Sequence, residues 1–218
     1  MKITIITAGW RPEGVKKVVE MVDAQTYTDW QHIIINDNNP ELRKWLEEKD
    51  YFHNHPQRHV IDFHVRTHYY GAFARNCGAM VACSYFKERI RKVDNDEWLI
   101  FFDDDNEWTE EHLQILVDAH SEHPEATMIG YDIEIRGKID PEYKHNMNNV
   151  LAGQNTDLGA WMYKKELFDK YGYFPASLRY KITYDWELIK RFAEGEGEDK
   201  VHIMHYRPCS FRFWHKER

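Results

Sequence analysis

The chain has 218 residues, 42% of them hydrophobic and 15% aromatic, which is enough apolar material for one sizeable core and too much for a disordered or low-complexity polypeptide. Its formal net charge of -8 argues against a general polyanion-binding surface. Cys77, Cys83 and Cys209 form no CxxC or zinc-like spacing, which excludes a disulfide framework or a structural metal site, and no apolar run is long enough for a signal peptide or membrane span.

The expectation is therefore a soluble, cytoplasmic protein without a membrane span, folded as a single domain over residues 1–218. Two segments depart from the acidic average. His53 to Val93, with Arg58, Arg66, Arg75, Lys87, Arg89, Arg91 and Lys92, is basic, and so is the tail from Lys200. Either is a solvated face or a place for a phosphate-bearing ligand.

Ile3 to Thr7 is a β-branched run ended by Gly9 and Pro12, which predicts a buried strand and then a loop. Val15, Val18, Val19 and Val22 recur at helical spacing, and after Gln25-Thr26-Tyr27 a second apolar run covers His32 to Ile35. A strand-helix-strand unit of this length implies parallel strands with a ligand crevice at their carboxyl ends, and Asp37 lies at such an end. Leu42, Trp45 and Leu46 predict a second helix and Val60 to Val65 a third strand, with KDYFHNHPQRH as loop between them.

From Ala72 to Arg91 small and apolar residues repeat at three and four, a long helix with Arg75 near its start. Trp98 to Phe102 is a fully apolar strand, and Thr109 to His120 a helix with Thr109 as N-cap and His112 at N3. Beyond Pro124 come a strand from Thr127 to Ile135, a polar stretch to Asn155, and a small-residue turn, Leu158-Gly159-Ala160, leading into Trp161-Met162-Tyr163. Glu166 to Tyr171 is helical, Gly172 to Lys181 is loop, and a last helix runs from Trp186 to Phe192 directly after Asp185.

In LIFFDDDNEW an apolar strand ends on Asp103, Asp104 and Asp105. Three adjacent carboxylates are either solvated in a turn or neutralised by a cation, and the apolar strand behind them favours a hard cation with oxygen ligands, Mg²⁺ or Mn²⁺. An EF-hand is excluded, because Trp108 stands where the loop needs Gly and Gln114 where it needs Glu. A metal held by one or two carboxylates keeps coordination positions for phosphate oxygens.

ITIITAGWRPEGVKKVVEMVDAQTYTDWQHIIINDNN resembles the opening of glycosyltransferase family 2. GAFARNCGAMVA is similar to the family's Gly-x-x-x-Ala-Arg-Asn-x-Gly segment, LIFFDDDNEW to its Asp-x-Asp motif, and LGAWMYKKELFDKYGYFPASLRYKITYDWELIKRF to its acceptor half with a Glu-Asp-x-x-Leu motif. The resemblance implies an α/β fold of GT-A type, a Rossmann-like, mostly parallel central sheet flanked by helices. It also implies a nucleotide-sugar-binding half, 1–106, and an acceptor-binding half, 107–218. The implied activity is metal-dependent, inverting transfer of a sugar from a nucleotide sugar, a UDP-sugar foremost, with Mn²⁺ or Mg²⁺ as cofactor. The acceptor would be a glycan, a lipid-linked sugar, a protein or a modified nucleic-acid base.

Roles follow residue by residue. Thr7, Ala8 and Gly9 would line the donor site, Asp37 would recognise the base, and Arg75 would lie near the nucleotide. Asp103 would sit near ribose and metal, Asp105 would be the direct metal ligand, and Asp104 would lie between them on the donor side. Asp185 would be the general base, with a helix N-cap as its structural alternative. Trp186 and Tyr184 flank it and would raise its pKa while offering a stacking face. His215 would complete the metal sphere or be a solvated residue near the terminus. Trp161 is an acceptor-pocket wall or a core tryptophan. Two departures stand out: Thr7-Ala8-Gly9-Trp10 replaces Pro-Thr-Tyr-Asn, and Tyr184 replaces the Glu of Glu-Asp. Two other readings use the same scaffold: a noncatalytic sugar-nucleotide or carbohydrate-binding protein, and a nucleotidyltransferase, for which Gly9 and Gly14 are a thin substitute for a phosphate loop.

Overall fold

The computed structural model describes residues 1–53, 55–67, 71–89, 97–135, 151, 158–175 and 184–211, with 84–89, 132–135 and 205–211 described by their backbone. Its strands are β1 (Lys2–Gly9), β2 (Trp30–Asn36), β3 (Arg58–Asp62), β4 (Glu97–Phe101), β5 (Asn106–Trp108), β6 (Met128–Ile135), β7 (Trp161–Lys164) and β8 (Val201–Phe211). Its helices are α1 (Pro12–Asp23), α2 (Pro40–Glu48), α3 (Ala72–Arg89), α4 (His112–Glu122), α5 (Glu166–Tyr171) and α6 (Tyr184–Glu196).

The eight strands among the described residues join one sheet in the order β3-β2-β1-β4-β7-β6-β8-β5. The pairs β1-β2, β2-β3, β1-β4 and β6-β8 are parallel, whereas β4-β7, β6-β7 and β5-β8 are antiparallel. Because β1 lies between β2 and β4, the chain reverses its direction of travel across the sheet there, and a crevice opens at the carboxyl ends of those strands. Asp37 and the acidic triplet lie at that edge, as the strand-helix-strand pattern predicts.

Alternation along β2 explains why helices cover both faces. Ile34 packs with Val15 and Val19 of α1 and Leu42 and Leu46 of α2. Ile33 and Ile35 belong to the main core, which also holds Ala74, Ala79 and Ala82 of α3 and extends through Trp98 to Phe102 into Trp161, Met162, Phe168 and Phe192. One apolar cluster thus spans the residues on either side of position 106. α1 meets the acidic turn closely: a Cβ on Gly14 would lie 2.1 Å from the Asp104 carbonyl oxygen.

Several boundaries differ from the sequence reading, each for a local reason. The third strand is Arg58–Asp62 rather than Val60 to Val65. Phe63 N–H donates to Asn36 O at 2.9 Å, and the chain then turns so that Thr67 reaches Asp37. α4 begins at His112 and not at Thr109. The Thr109 carbonyl accepts from Gln25 Nε2 at 2.7 Å as well as from His112 N at 3.2 Å, and the Glu110 carbonyl accepts from Thr26 N at 2.9 Å, so a short turn tied to the end of α1 precedes the helix. α6 begins at Tyr184, which puts Asp185 inside the first turn rather than at the N-cap. β5 and β8 were not anticipated; β8 runs parallel to β6 with a register shift between Tyr131 and Ile133.

The basic stretch also dissolves in part. Arg58 is buried, ion-paired to Asp23 at 2.5 Å, with its guanidinium against the Trp30 and Tyr51 rings. Arg75 is buried as well. His68, Arg91, Lys92, the polar stretch 136–150 and 152–157, residues 176–183 and His215 lie outside the described residues. Among the described residues no helix is long and apolar enough to cross a membrane.

Candidate active site

The crevice at the ends of β1, β2 and β4 is a cleft of about 520 Å³, walled by Ala8, Gly9, Trp10, Arg11, Asp37, Arg66, Gly71, Ala74, Arg75, Asp103, Asp104, Asp105 and Tyr184. Three neighbouring carboxylates coexist there because two arginines partition them, and each carboxylate ends in a different environment.

Asp103 belongs to Arg75. Arg75 Nη2 donates to Asp103 Oδ1 and Oδ2 at 2.5 and 2.6 Å and Nε to Oδ1 at 3.2 Å. Its Nη1 donates to the Tyr184 hydroxyl at 2.7 Å. Burial works against the Arg75 charge, yet Asp103, Tyr184 and Asp185 together hold its pKa well above the ordinary arginine value. A buried cation of this kind persists only when fully paired.

Asp104 belongs to α1. Its Oδ2 accepts from the N–H of Arg11 at 2.8 Å and of Trp10 at 3.2 Å, just ahead of the first helical turn, and its Oδ1 accepts from Arg11 Nε at 2.9 Å and from Nη2. Arg11 is the N-cap residue of α1 and makes no capping bond of its own. Asp104 satisfies those N–H groups, so it tethers the start of α1 while lining the cleft.

Asp105 is the least committed. Among the described residues its contact is Oδ2 to Arg11 Nη2, at 2.9 Å. Burial and then Asp103 raise its pKa, against the pull of Arg11. An anion disfavoured in this way gains from a bound cation. Among the described residues no group of three or more His, Cys, Asp and Glu converges on a metal position. The residues fit instead a divalent ion held by Asp105 and completed by ligand oxygens, an arrangement suited to Mg²⁺ or Mn²⁺ with a diphosphate.

Asp37 faces the cleft from the end of β2, its Oδ1 and Oδ2 accepting from Thr67 N at 2.8 Å and Thr67 Oγ1 at 3.1 Å. Trp10 is partly exposed, and the Arg66 guanidinium lies 3.3 Å from its ring centroid. Ala8 and Gly9 line the cleft, but Thr7 does not: it is fully buried, with its hydroxyl hydrogen-bonded to His32 Nε2 at 2.9 Å.

Beside Tyr184, Asp185 brings the second acid chemistry to this end of the sheet. Burial pushes its pKa up to about 7, Arg75 pulling it down and Asp103 pushing it up. Its Oδ1 is buried and has no hydrogen-bond partner among the described residues. A carboxylate near neutrality with an unsatisfied oxygen is poised to accept a proton. Trp186 is half-buried, carries the Lys190 ammonium 5.0 Å from its ring centroid, and does not line the cleft. Trp161 is fully buried, packed where a Cβ on Gly130 would meet its ring at 2.6 Å; the core alternative is the one observed.

The structure thus brings together Ala8, Gly9, Asp37, Arg75, Asp103, Asp104 and Asp105, with Asp185 adjoining, and leaves Thr7 and Trp161 in the core. Sequence reasoning missed Arg11 as part of the wall, and it placed Arg66 only in a basic stretch and Tyr184 only beside Asp185. Charge balance was the available signal, since a half-buried acidic triplet requires cationic partners, but it does not say which of 29 lysines and arginines supply them.

A family model described as Glycosyl transferase family 2 matches residues 4–180. No curated protein matches the sequence. Among solved structures the fold is similar to that of TarS 1–349 from S. aureus, with a TM-score of 0.73 at 14% identity, covering 97% of this chain and 60% of that one. TarS 1–349 in complex with UDP-GlcNAc gives a TM-score of 0.66 at 14% identity over 96% of this chain and 58% of that one. The mannosyltransferase PcManGT from Pyrobaculum calidifontis, in complex with GDP-Man and Mn²⁺, gives 0.66 at 12% identity over 96% of this chain and 56% of that one. At such identities the likeness speaks for the fold, which is of GT-A type, and the chain spans about 60% of the length of TarS 1–349.

Proposed function

The chain belongs to glycosyl transferase family 2, and from that premise we propose that it is a metal-dependent, inverting glycosyltransferase that moves a sugar from a nucleotide sugar, a UDP-sugar foremost, to an acceptor hydroxyl. The observation that carries this reading is Asp185, a buried carboxyl held near pKa 7 with an unpartnered oxygen, beside a cleft whose walls suit a nucleotide. Solved relatives of the same fold are complexes with UDP, UDP-GlcNAc and GDP-Man.

In this reading the base meets Asp37 and the Trp10 side of the cleft, and the diphosphate lies across Ala8 and Gly9 toward the acidic turn. The Asp185 carboxylate takes the proton of the acceptor hydroxyl. The hydroxyl oxygen then attacks the anomeric carbon on the face opposite the nucleotide, through an oxocarbenium-like transition state. The bond from that carbon to the diphosphate oxygen breaks, and the nucleoside diphosphate departs with the electron pair. Asp105 would hold a divalent cation, which would supply charge neutralisation for that leaving group. Arg75 holds Asp103 and keeps the buried end of the cleft electrically balanced, so it positions rather than reacts.

The test is a thermal-shift and hydrolysis screen of nucleotide sugars with and without Mn²⁺ or Mg²⁺. The expected result is stabilisation by one donor class only when metal is present, followed by metal-dependent release of its nucleoside diphosphate. A protein that binds UDP with metal yet never hydrolyses or transfers from any donor would be a binding protein instead.

A further inference from the structure

The two arginines that divide the acidic triplet are built differently. Arg75 is buried and grips both oxygens of Asp103 as well as Tyr184, so it cannot leave without stranding charges. The Arg11 side chain is 43% exposed at the wall of the cleft. It is anchored on Asp104 through Nε at 2.9 Å and through Nη2, and Nη2 also reaches Asp105, at 2.9 Å. Giving up Asp105 therefore breaks one contact and keeps the anchor, because Asp104 is itself fixed by the N–H groups of Trp10 and Arg11.

A divalent ion on Asp105 would lie within a few ångströms of this guanidinium, and like charges at that range repel strongly in a partly desolvated cleft. Arg11 and the metal therefore compete for one carboxylate. The Nη2 N–H given up by Asp105 borders a cleft of about 520 Å³, while Nε and the rest of Nη2 stay on Asp104. A diphosphate there offers the paired anionic oxygens that a guanidinium fork accepts in place of a carboxylate.

Resting on the donor-binding reading above, we propose that Arg11 is the exchangeable counter-ion of Asp105: it occupies that carboxylate in the empty site and moves onto the donor diphosphate when the metal arrives, so that metal and donor bind as a coupled pair. Neither binds well alone. Metal without donor leaves the N–H that quits Asp105 with no anion in its place, and donor without metal meets an arginine still held by Asp105.

Calorimetric titration of Mn²⁺ into the protein, with and without saturating UDP, tests this in wild type and in Arg11→Met and Arg11→Gln. Gln retains a hydrogen-bonding end for Asp104 and serves should Met fail to give a cooperative thermal transition. Removing the charge should tighten Mn²⁺ binding in the absence of UDP by roughly tenfold. UDP should then enhance Mn²⁺ binding by a smaller factor than in wild type, and by reciprocity Mn²⁺ should enhance UDP binding less. A gain in metal affinity is not what a merely damaged fold gives. Unchanged or weaker Mn²⁺ binding in both variants overturns the proposal, as does a UDP enhancement equal to that of wild type. If wild type itself binds no UDP with Mn²⁺ present, the donor-site reading fails and the counter-ion role fails with it.

Discussion

At the residue scale, the acidic triplet separates into three jobs that only the folded chain distinguishes. Asp104 tethers the start of α1, so Asp104→Ala leaves the N–H groups of Trp10 and Arg11 unpaired; it is expected to lower stability by roughly 1–3 kcal/mol. Asp105→Asn removes a carboxylate that burial already disfavours. It should leave the unfolding free energy within about 0.5 kcal/mol of wild type while abolishing metal-stimulated donor hydrolysis. Denaturant unfolding and a hydrolysis assay on the two variants check the division, and equal stability losses would contradict it. Asp-x-Asp was legible because its spacing carries meaning, whereas the partners Arg11 and Arg75 come from other elements at separations of 93 and 28 residues, which no local pattern encodes.

Asp185 sits at the same scale but trades stability for chemistry. An aspartyl group ionises near 3.8 in the unfolded chain and near 7 here, burial being the main cause. Between those values the folded state binds the extra proton, so its ionisation opposes folding increasingly as pH rises from about 4 to 7 and constantly above. Asp185→Asn should therefore be more stable than wild type at pH 8, by roughly 4 kcal/mol, with the advantage vanishing toward pH 4. Its transfer rate should fall by about 10²–10⁴, and wild-type activity should rise with pH through a midpoint near 7. Thermal unfolding at the two pH values and a pH-rate profile measure both. A variant that is active, or less stable at pH 8, would remove Asp185 from the role of base.

At the element scale, the Gln25-Thr26-Tyr27 segment shows what a family-like motif does physically. Gln25 Oε1 accepts from Leu113 N–H at 2.9 Å, and its Nε2 donates to Thr109 O at 2.7 Å and Met21 O at 3.0 Å. One side chain ties the end of α1 to the beginning of α4 and sets where α4 starts. Gln25→Ala should cost roughly 1–2 kcal/mol, read as a lower unfolding midpoint with the donor affinity preserved. The β1-α1-β2 unit was legible because each element has one apolar face or a continuous apolar run. β8 was not, because His202 to Pro208 neither alternates nor runs apolar; its strand character comes from β6 and β5 on either side. The start of α4 escaped for a similar reason, since its determinant lies 88 residues away in Gln25.

At the scale of the whole molecule, the nominal donor and acceptor halves are not built as separable bodies. β4 pairs directly with β7, the main core runs through both, and Arg75 of α3 bonds Asp103 at the end of β4 and Tyr184 at the start of α6. Breaking the sheet between β4 and β7 would expose Leu99, Ile100 and Met162, all fully buried, and would take Tyr184 from Arg75. That penalty falls on both halves at once, which is the condition for two-state unfolding. Calorimetry should accordingly show one transition whose van't Hoff and calorimetric enthalpies agree. A ligand seated at the end of β1, β2 and β4 should then move the entire transition and not a fraction of it. UDP with Mn²⁺ at about 100 times its dissociation constant is expected to add about 2.7 kcal/mol, which for a chain of this size shifts the midpoint by roughly 5–10 °C. Two resolved transitions, of which UDP and Mn²⁺ shift only the first, would mean that the halves fold independently and that the Arg75 bridge couples nothing.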